Sequence, residues 1–117
     1  MITIQLSENV SDMSTFEELC RYLTQKVPDA NIIIIDDFWD SGEKTLMKEK
    51  AAQTCNVGFG PLSDIKGNAD YQVGLGSIVY DKDGNGHIIE HSGVAEHPND
   101  KGMLYIAETV EKMIKIE

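Results

Sequence analysis

Three groups of polar residues in this sequence could take part in chemistry at one site. Ser7-Glu8-Asn9 and the run from Asp36 to Asp40 each follow an isoleucine-rich segment, and His97 directly precedes the last apolar helical pattern. An imidazole at a helix entrance can project into a cleft as a general base, and an asparagine amide can donate to an oxyanion. Taken singly, such residues are more often an exposed loop histidine, a turn asparagine and solvated carboxylates.

Hydrophobic periodicity predicts the elements that would position these groups. Residues 2–6 alternate between apolar and polar side chains as in a short strand, and residues 32–35 are four isoleucines, typical of a strand covered on both faces. Between them, Ser14 and Glu17 form a capping box that starts an amphipathic helix, which Pro28 ends. The pattern predicts a right-handed, parallel strand–helix–strand unit, whose ligands bind beyond the carboxyl ends of the strands.

The second half of the chain predicts a further helix, a loop, a hairpin and a final helix. Asp40 and Glu43 form another capping box, and the helix they start runs to about Thr54. Residues 56–59 are a strand candidate, and the Gly-, Asp- and Asn-rich residues 60–76 indicate a long surface loop. The last helix has its start signals at 98–100 and apolar residues at helical spacing from Met103 onward.

Residues 81–86 begin like a calcium-binding loop. The twelfth position of that motif is Ser92 instead of glutamate, and a strand pattern precedes the motif where a helix is required. Residues 72–80 and 87–91 instead flank a glycine-rich turn, which predicts a hairpin. We therefore expect no metal site here.

Length and composition limit the function classes. With 117 residues the chain is predicted to be one domain, residues 1–117. Its net charge of −10 repels phosphate backbones and anionic lipid, so we expect neither a nucleic-acid nor a membrane partner. Cys20 and Cys55 show no metal or disulfide spacing, and the chain has no basic leader or long apolar run. We expect buried thiols in a cytoplasmic protein.

The run from Glu96 to Ala107 resembles the last catalytic block of SGNH (GDSL-type) serine esterases. It has a His-Pro, a polar pair, a glycine and then an apolar helix containing Ile-Ala. The resemblance implies that His97 is the general base that takes the proton from a serine hydroxyl. Ser7-Glu8-Asn9 is similar to the family's Gly-x-Asn block, with Ser7 in place of glycine, which implies that Asn9 donates to the oxyanion.

The order of elements is also similar to that family over nearly the whole chain. The resemblance implies an α/β fold: a partial flavodoxin-like three-layer α/β/α sandwich with a mainly parallel sheet and a hairpin. It implies hydrolysis of a small-molecule or carbohydrate ester, often an acetyl ester, without metal or other cofactor.

Three family features are absent from the sequence. The nucleophile block Gly-Asp-Ser and the block with an oxyanion glycine do not occur, and Ser41 has the wrong sequence order and is explained as part of a helix start. The family's orienting aspartate lies three residues before the histidine, where this chain has Val94. Glu90, Glu96 or a backbone carbonyl could replace it, and the sequence leaves this open.

These observations predict the C-terminal half of an SGNH esterase, inactive by itself. The family's first strand would lie beside residues 2–6, so we expect those residues to form an uncovered edge. That edge would pair with a second copy, as a homo-oligomer, or with an N-terminal half. The alternatives are a non-catalytic binding module with His97 and Asn9 as relics, and a magnesium-dependent, receiver-like phosphoacceptor built on Asp36 and Asp37.

Overall fold

The computed structural model describes residues 1–6, 10–39 and 42–114. Three strands, β1 (Ile2–Ile4), β2 (Ile32–Ile35) and β3 (Gly58–Gly60), form a parallel sheet in the order β1-β2-β3. Ile2 pairs with Ile32, and Ile33 pairs with Gly58. Two more strands, β4 (Ile78–Tyr80) and β5 (Gly86–Ile88), form an antiparallel hairpin. The α/β class, the parallel unit and the hairpin are therefore confirmed.

Four α-helices lie in the described part of the chain. They are α1 (Met13–Lys26), α2 (Gly42–Cys55), α3 (Ser92–Ala95) and α4 (Asp100–Lys112), and a 3-10 turn covers Ala69–Tyr71. No helix among these residues is long and apolar enough to cross a membrane.

The predicted cap of α1 is wrong by two residues. Asp12, which has extended backbone geometry, is the N-cap, and its carboxylate accepts from the Ser14 amide at 3.0 Å and from the Ser14 hydroxyl at 2.7 Å. Glu17 pairs with Arg21 one turn later, at 2.7 Å. A carboxylate before the first turn accepts two hydrogen bonds at once, so it caps the helix in place of the serine. The Asp40 cap predicted for α2 lies outside the described residues.

The core lies on both faces of β2, whose four isoleucines are at most 4% exposed. This confirms the prediction of a strand covered on both sides. On one face of the sheet, side chains of α1, α2 and β1 form a hydrophobic cluster with β2. The buried members of this cluster are Ile4, Phe16, Cys20, Ile32, Ile34, Ala51 and Ala52. Helix α4 and the chain after β3 pack on the other; the buried members there are Ile33, Ile35, Phe38, Leu62, Ile65 and Ile106.

The glycines of β3 allow α4 to lie directly on the sheet. A Cβ at Gly58 would come within 2.9 Å of Met113 Cε, and a Cβ at Gly60 within 3.0 Å of Thr109 Cγ2. Asn56, at φ 54°, turns the chain after α2. The strand candidate at 56–59 therefore begins two residues later than predicted.

Residues 60–76 were predicted to be a long surface loop, but part of this segment belongs to the core. Leu62 and Ile65 are fully buried and pack with Ile33 and Ile35 of β2 and Ile106 of α4. The hairpin turn is as predicted: Asp81 Oδ1 accepts from the amides of Asp83 and Asn85, both at 2.9 Å. The described residues contain no cluster of three His, Cys, Asp or Glu that could hold a metal ion.

Candidate functional site

The start of α4 is tied to the segment before the hairpin. Asn99 is the N-cap of α4, and its side-chain oxygen accepts from the Gly102 amide at 2.9 Å. The same side chain donates from Nδ2 to the carbonyls of Asp70 and Gln72, both at 2.9 Å. One asparagine therefore caps the helix and holds the neighbouring chain against it.

The backbone of His97 is held on both sides. Its carbonyl accepts from the Val73 amide at 2.9 Å, and its amide donates to the Val94 carbonyl at 3.1 Å. At Gly102, a Cβ would lie 2.5 Å from the Tyr71 carbonyl oxygen and 2.9 Å from Pro98 Cβ. The residues next to His97 therefore pack so closely against the start of α4 that position 102 accommodates only a glycine.

The exposed His97 side chain lines a small cleft at the carboxyl ends of β1 and β2. Its imidazole stands edge-to-face against the Trp39 indole, with 5.1 Å between ring centroids, and Phe38 packs against Trp39 in the same way at 5.8 Å. The cleft has a volume of about 190 Å³ and is lined by Gln5, Phe38, Trp39, His97, Pro98, Met103 and Ile106. The cleft thus lies where the segments that follow β1 and β2 contact the residues that precede α4.

Among the described residues, the candidate orienting groups Glu90 and Glu96 make no hydrogen bond with the His97 ring. No described carboxylate or carbonyl accepts a hydrogen bond from its imidazole. Val94 is 46% exposed on α3, and Glu90 and Glu96 are exposed as well. Asn9, the proposed oxyanion donor, lies outside the described residues, as does Ser41. In the described residues His97 has an aromatic neighbour, Trp39, and no carboxylate bonded to its ring.

Asp36 and Asp37 were expected to be solvated loop carboxylates, and this is wrong. Both are 0% exposed. The Asp36 carboxylate accepts from the Asp37 amide and the Thr45 hydroxyl, both at 2.8 Å, and from Lys66 Nζ at 2.9 Å. The Leu62 amide donates to its second oxygen at 3.3 Å, and Lys66 also donates to Thr45. A carboxylate is stable inside a protein when charged and polar donors satisfy it in this way.

A second buried ion pair lies next to the first. Lys48 is 0% exposed, and its Nζ donates to Asp37 Oδ1 at 2.6 Å and to the Ile35 carbonyl at 3.1 Å. The sequence did carry a signal for it, because Lys48 shares one face of α2 with the buried Ala51 and Ala52. Such burial leaves neither aspartate open to a phosphate donor, against the phosphoacceptor alternative.

In comparisons with protein-family models, curated proteins and solved structures, none matches this chain.

Proposed function

We propose that this chain is the C-terminal half of an SGNH carboxylic-ester hydrolase and that His97 is its general base. The observation that carries the proposal is the place of His97. Its backbone is held at both amide and carbonyl, its ring faces a cleft at the carboxyl ends of two parallel strands, and its nitrogens make no hydrogen bond within the described residues. A base poised for a reacting hydroxyl needs such a free nitrogen.

The chemistry proposed is acyl transfer through serine. The imidazole takes the proton from a serine hydroxyl of the N-terminal half as the hydroxyl oxygen attacks the ester carbonyl, and it then gives that proton to the leaving alcohol. Water, deprotonated by the same imidazole, hydrolyses the acyl-serine and regenerates the hydroxyl. Asn9 donates to the oxyanion. The substrate is a small-molecule or carbohydrate ester, such as an acetyl ester.

The proposed fold is a partial flavodoxin-like α/β/α sandwich, and a strand of the N-terminal half would complete its sheet by pairing with β1. Two facts support it: helices pack on both faces of the sheet, and β1 is an edge strand. Ile2 donates its amide to Asn31, on the β2 side, so the backbone of Thr3 faces the open edge. A strand ending in Gly-Asp-Ser that paired there would place its serine near the cleft.

The test is complementation. The purified chain should not hydrolyse an aryl acetate ester alone, and it should do so when co-expressed with an N-terminal half that carries a strand ending in Gly-Asp-Ser. His97→Ala in the complemented enzyme should lower kcat by at least about a hundredfold, since it removes the base. His87→Ala, in the hairpin, is the matched control and should retain activity. Serine-dependent turnover by the chain alone, or full activity of His97→Ala, would contradict the proposal.

A second candidate is a non-catalytic binding module on the same half-fold. The observation that favours it is the lack of any carboxylate bonded to His97 in the described residues. This candidate predicts that no N-terminal half restores turnover and that His97→Ala changes nothing in the complemented protein. The complementation experiment therefore separates the two.

A further inference from the structure

The two buried aspartates follow directly on β2 and stand immediately before the aromatic wall of the His97 cleft. After Asp36 and Asp37 the chain continues with Phe38, which is 2% exposed, and Trp39, which meets the imidazole. Because Phe38 and Trp39 follow Asp36 and Asp37 directly in the chain, the backbone conformation at Asp36 determines the direction in which Phe38 and Trp39 leave the sheet.

Asp36 also contacts the other wall of the cleft. Its backbone carbonyl accepts from Gln5 Nε2 at 3.3 Å, and Gln5 lines the cleft just after β1. Its backbone amide donates to the Gly60 carbonyl at 3.0 Å. One residue is thus bonded to the ends of all three parallel strands, and two of those ends form the cleft.

The donors to the Asp36 carboxylate come from separate parts of the chain. Thr45 belongs to α2, whereas Leu62 and Lys66 belong to the segment after β3. Buried ion pairs seldom add stability compared with well-packed apolar side chains of the same volume, but they do restrict geometry, because every donor must meet a fixed oxygen. The arrangement restricts how the turn into Trp39 can move.

We propose that Asp36 is a positioning residue of the His97 cleft. Its carboxylate fixes the turn that holds Trp39 edge-to-face against the imidazole, and its carbonyl fixes Gln5 on the opposite wall. The inference rests on the proposed role of His97: no carboxylate of the described residues bonds to its ring, so another group must limit the rotation of that ring. Trp39 is that group, and Asp36 holds Trp39 in place.

The test is a spectroscopic one on the full chain and requires no substrate. Trp39 is the only tryptophan and His97 one of three histidines, so the indole ring current should displace the imidazole C–H resonances of His97 alone. His87→Gln and His91→Gln assign the signals, and Trp39→Leu measures the displacement. Asp36→Asn should remove at least half of it at a fixed pH, whereas Asp83→Asn, an exposed carboxylate, should leave it unchanged.

A second pair of variants keeps the test independent of the stability of Asp36→Asn. Thr45→Val removes one donor to Asp36 without changing charge or volume, and it should reduce the His97 displacement. Thr45→Ser keeps the hydroxyl and should restore it. Unchanged His97 resonances in folded Asp36→Asn or Thr45→Val would overturn the proposal, as would a wild-type spectrum without a Trp39-dependent displacement. If complementation failed but the His97 displacement changed as expected, only the proposed ester hydrolase function would be contradicted.

Discussion

Lys48 is a lysine placed where a core residue would be expected. Its side chain is fully buried, its Nζ meets Asp37 at 2.6 Å, and Phe16 covers it with 5.9 Å from Nζ to the ring centroid. Lys48→Ala leaves the Asp37 charge buried without its ammonium partner, which should lower the free energy of unfolding by about 3–5 kcal/mol. Urea unfolding followed by circular dichroism measures this. Lys50→Ala, exposed on the same helix, should change it by less than about 0.5 kcal/mol; equal effects would contradict the prediction.

His97 and Asp36 differ in how far the sequence predicts their environment. The place of His97 before the last helix could be predicted, because Pro98 and the capping residues that follow it are local signals. The burial of Asp36 could not, because its donors Thr45, Leu62 and Lys66 lie 9 to 30 residues away along the chain. A carboxylate after a strand is solvated or buried according to such distant partners, which periodicity does not reveal.

The hairpin is an element whose turn is held by an exposed charge. Hydrogen bonds from His87 and from the Asn85 amide lower the pKa of Asp81 from 3.8 to about 2. Because the folded pKa is the lower one, the carboxylate stabilises the turn above about pH 4, and this contribution is lost as the pH falls toward 2. His87→Leu, which has no donor, should raise the pKa of Asp81 toward 3.8, measured by NMR of the carboxyl carbon. His91→Leu should not, and a pKa unchanged by His87→Leu would show that the His87 contact is unimportant.

Among the elements, those with a long local pattern were predicted, whereas strand β3 was predicted to start two residues too early and the short helix α3 was not predicted. Helices α1 and α4 and strand β2 lie where apolar spacing placed them. Strand β3 is a Gly-Phe-Gly segment that forms because β2 pairs with it and α4 packs on it, and α3 is a single turn capped by His91. Both depend on tertiary contacts more than on propensity.

At the scale of the whole molecule, helices cover both faces of the sheet but β1 remains an open edge. The sheet order β1-β2-β3 leaves the outer side of β1 unpaired among the described residues. Exposed edges offer backbone donors and acceptors to another strand. We therefore expect the chain to associate through β1 at micromolar concentration, with a second copy where no N-terminal half is present.

The backbone amide of Thr3 provides the test of that association. Thr3→Pro removes an amide hydrogen that faces the open edge, whereas Thr3→Val keeps it and changes only an exposed side chain. Sedimentation velocity should show a dimer for the wild type and for Thr3→Val, and a monomer for Thr3→Pro. Circular dichroism should be the same for all three, because the lost donor does not bond to β2. A monomeric wild type, or a Thr3→Pro dimer as stable as the wild type, would show that copies do not associate through this edge.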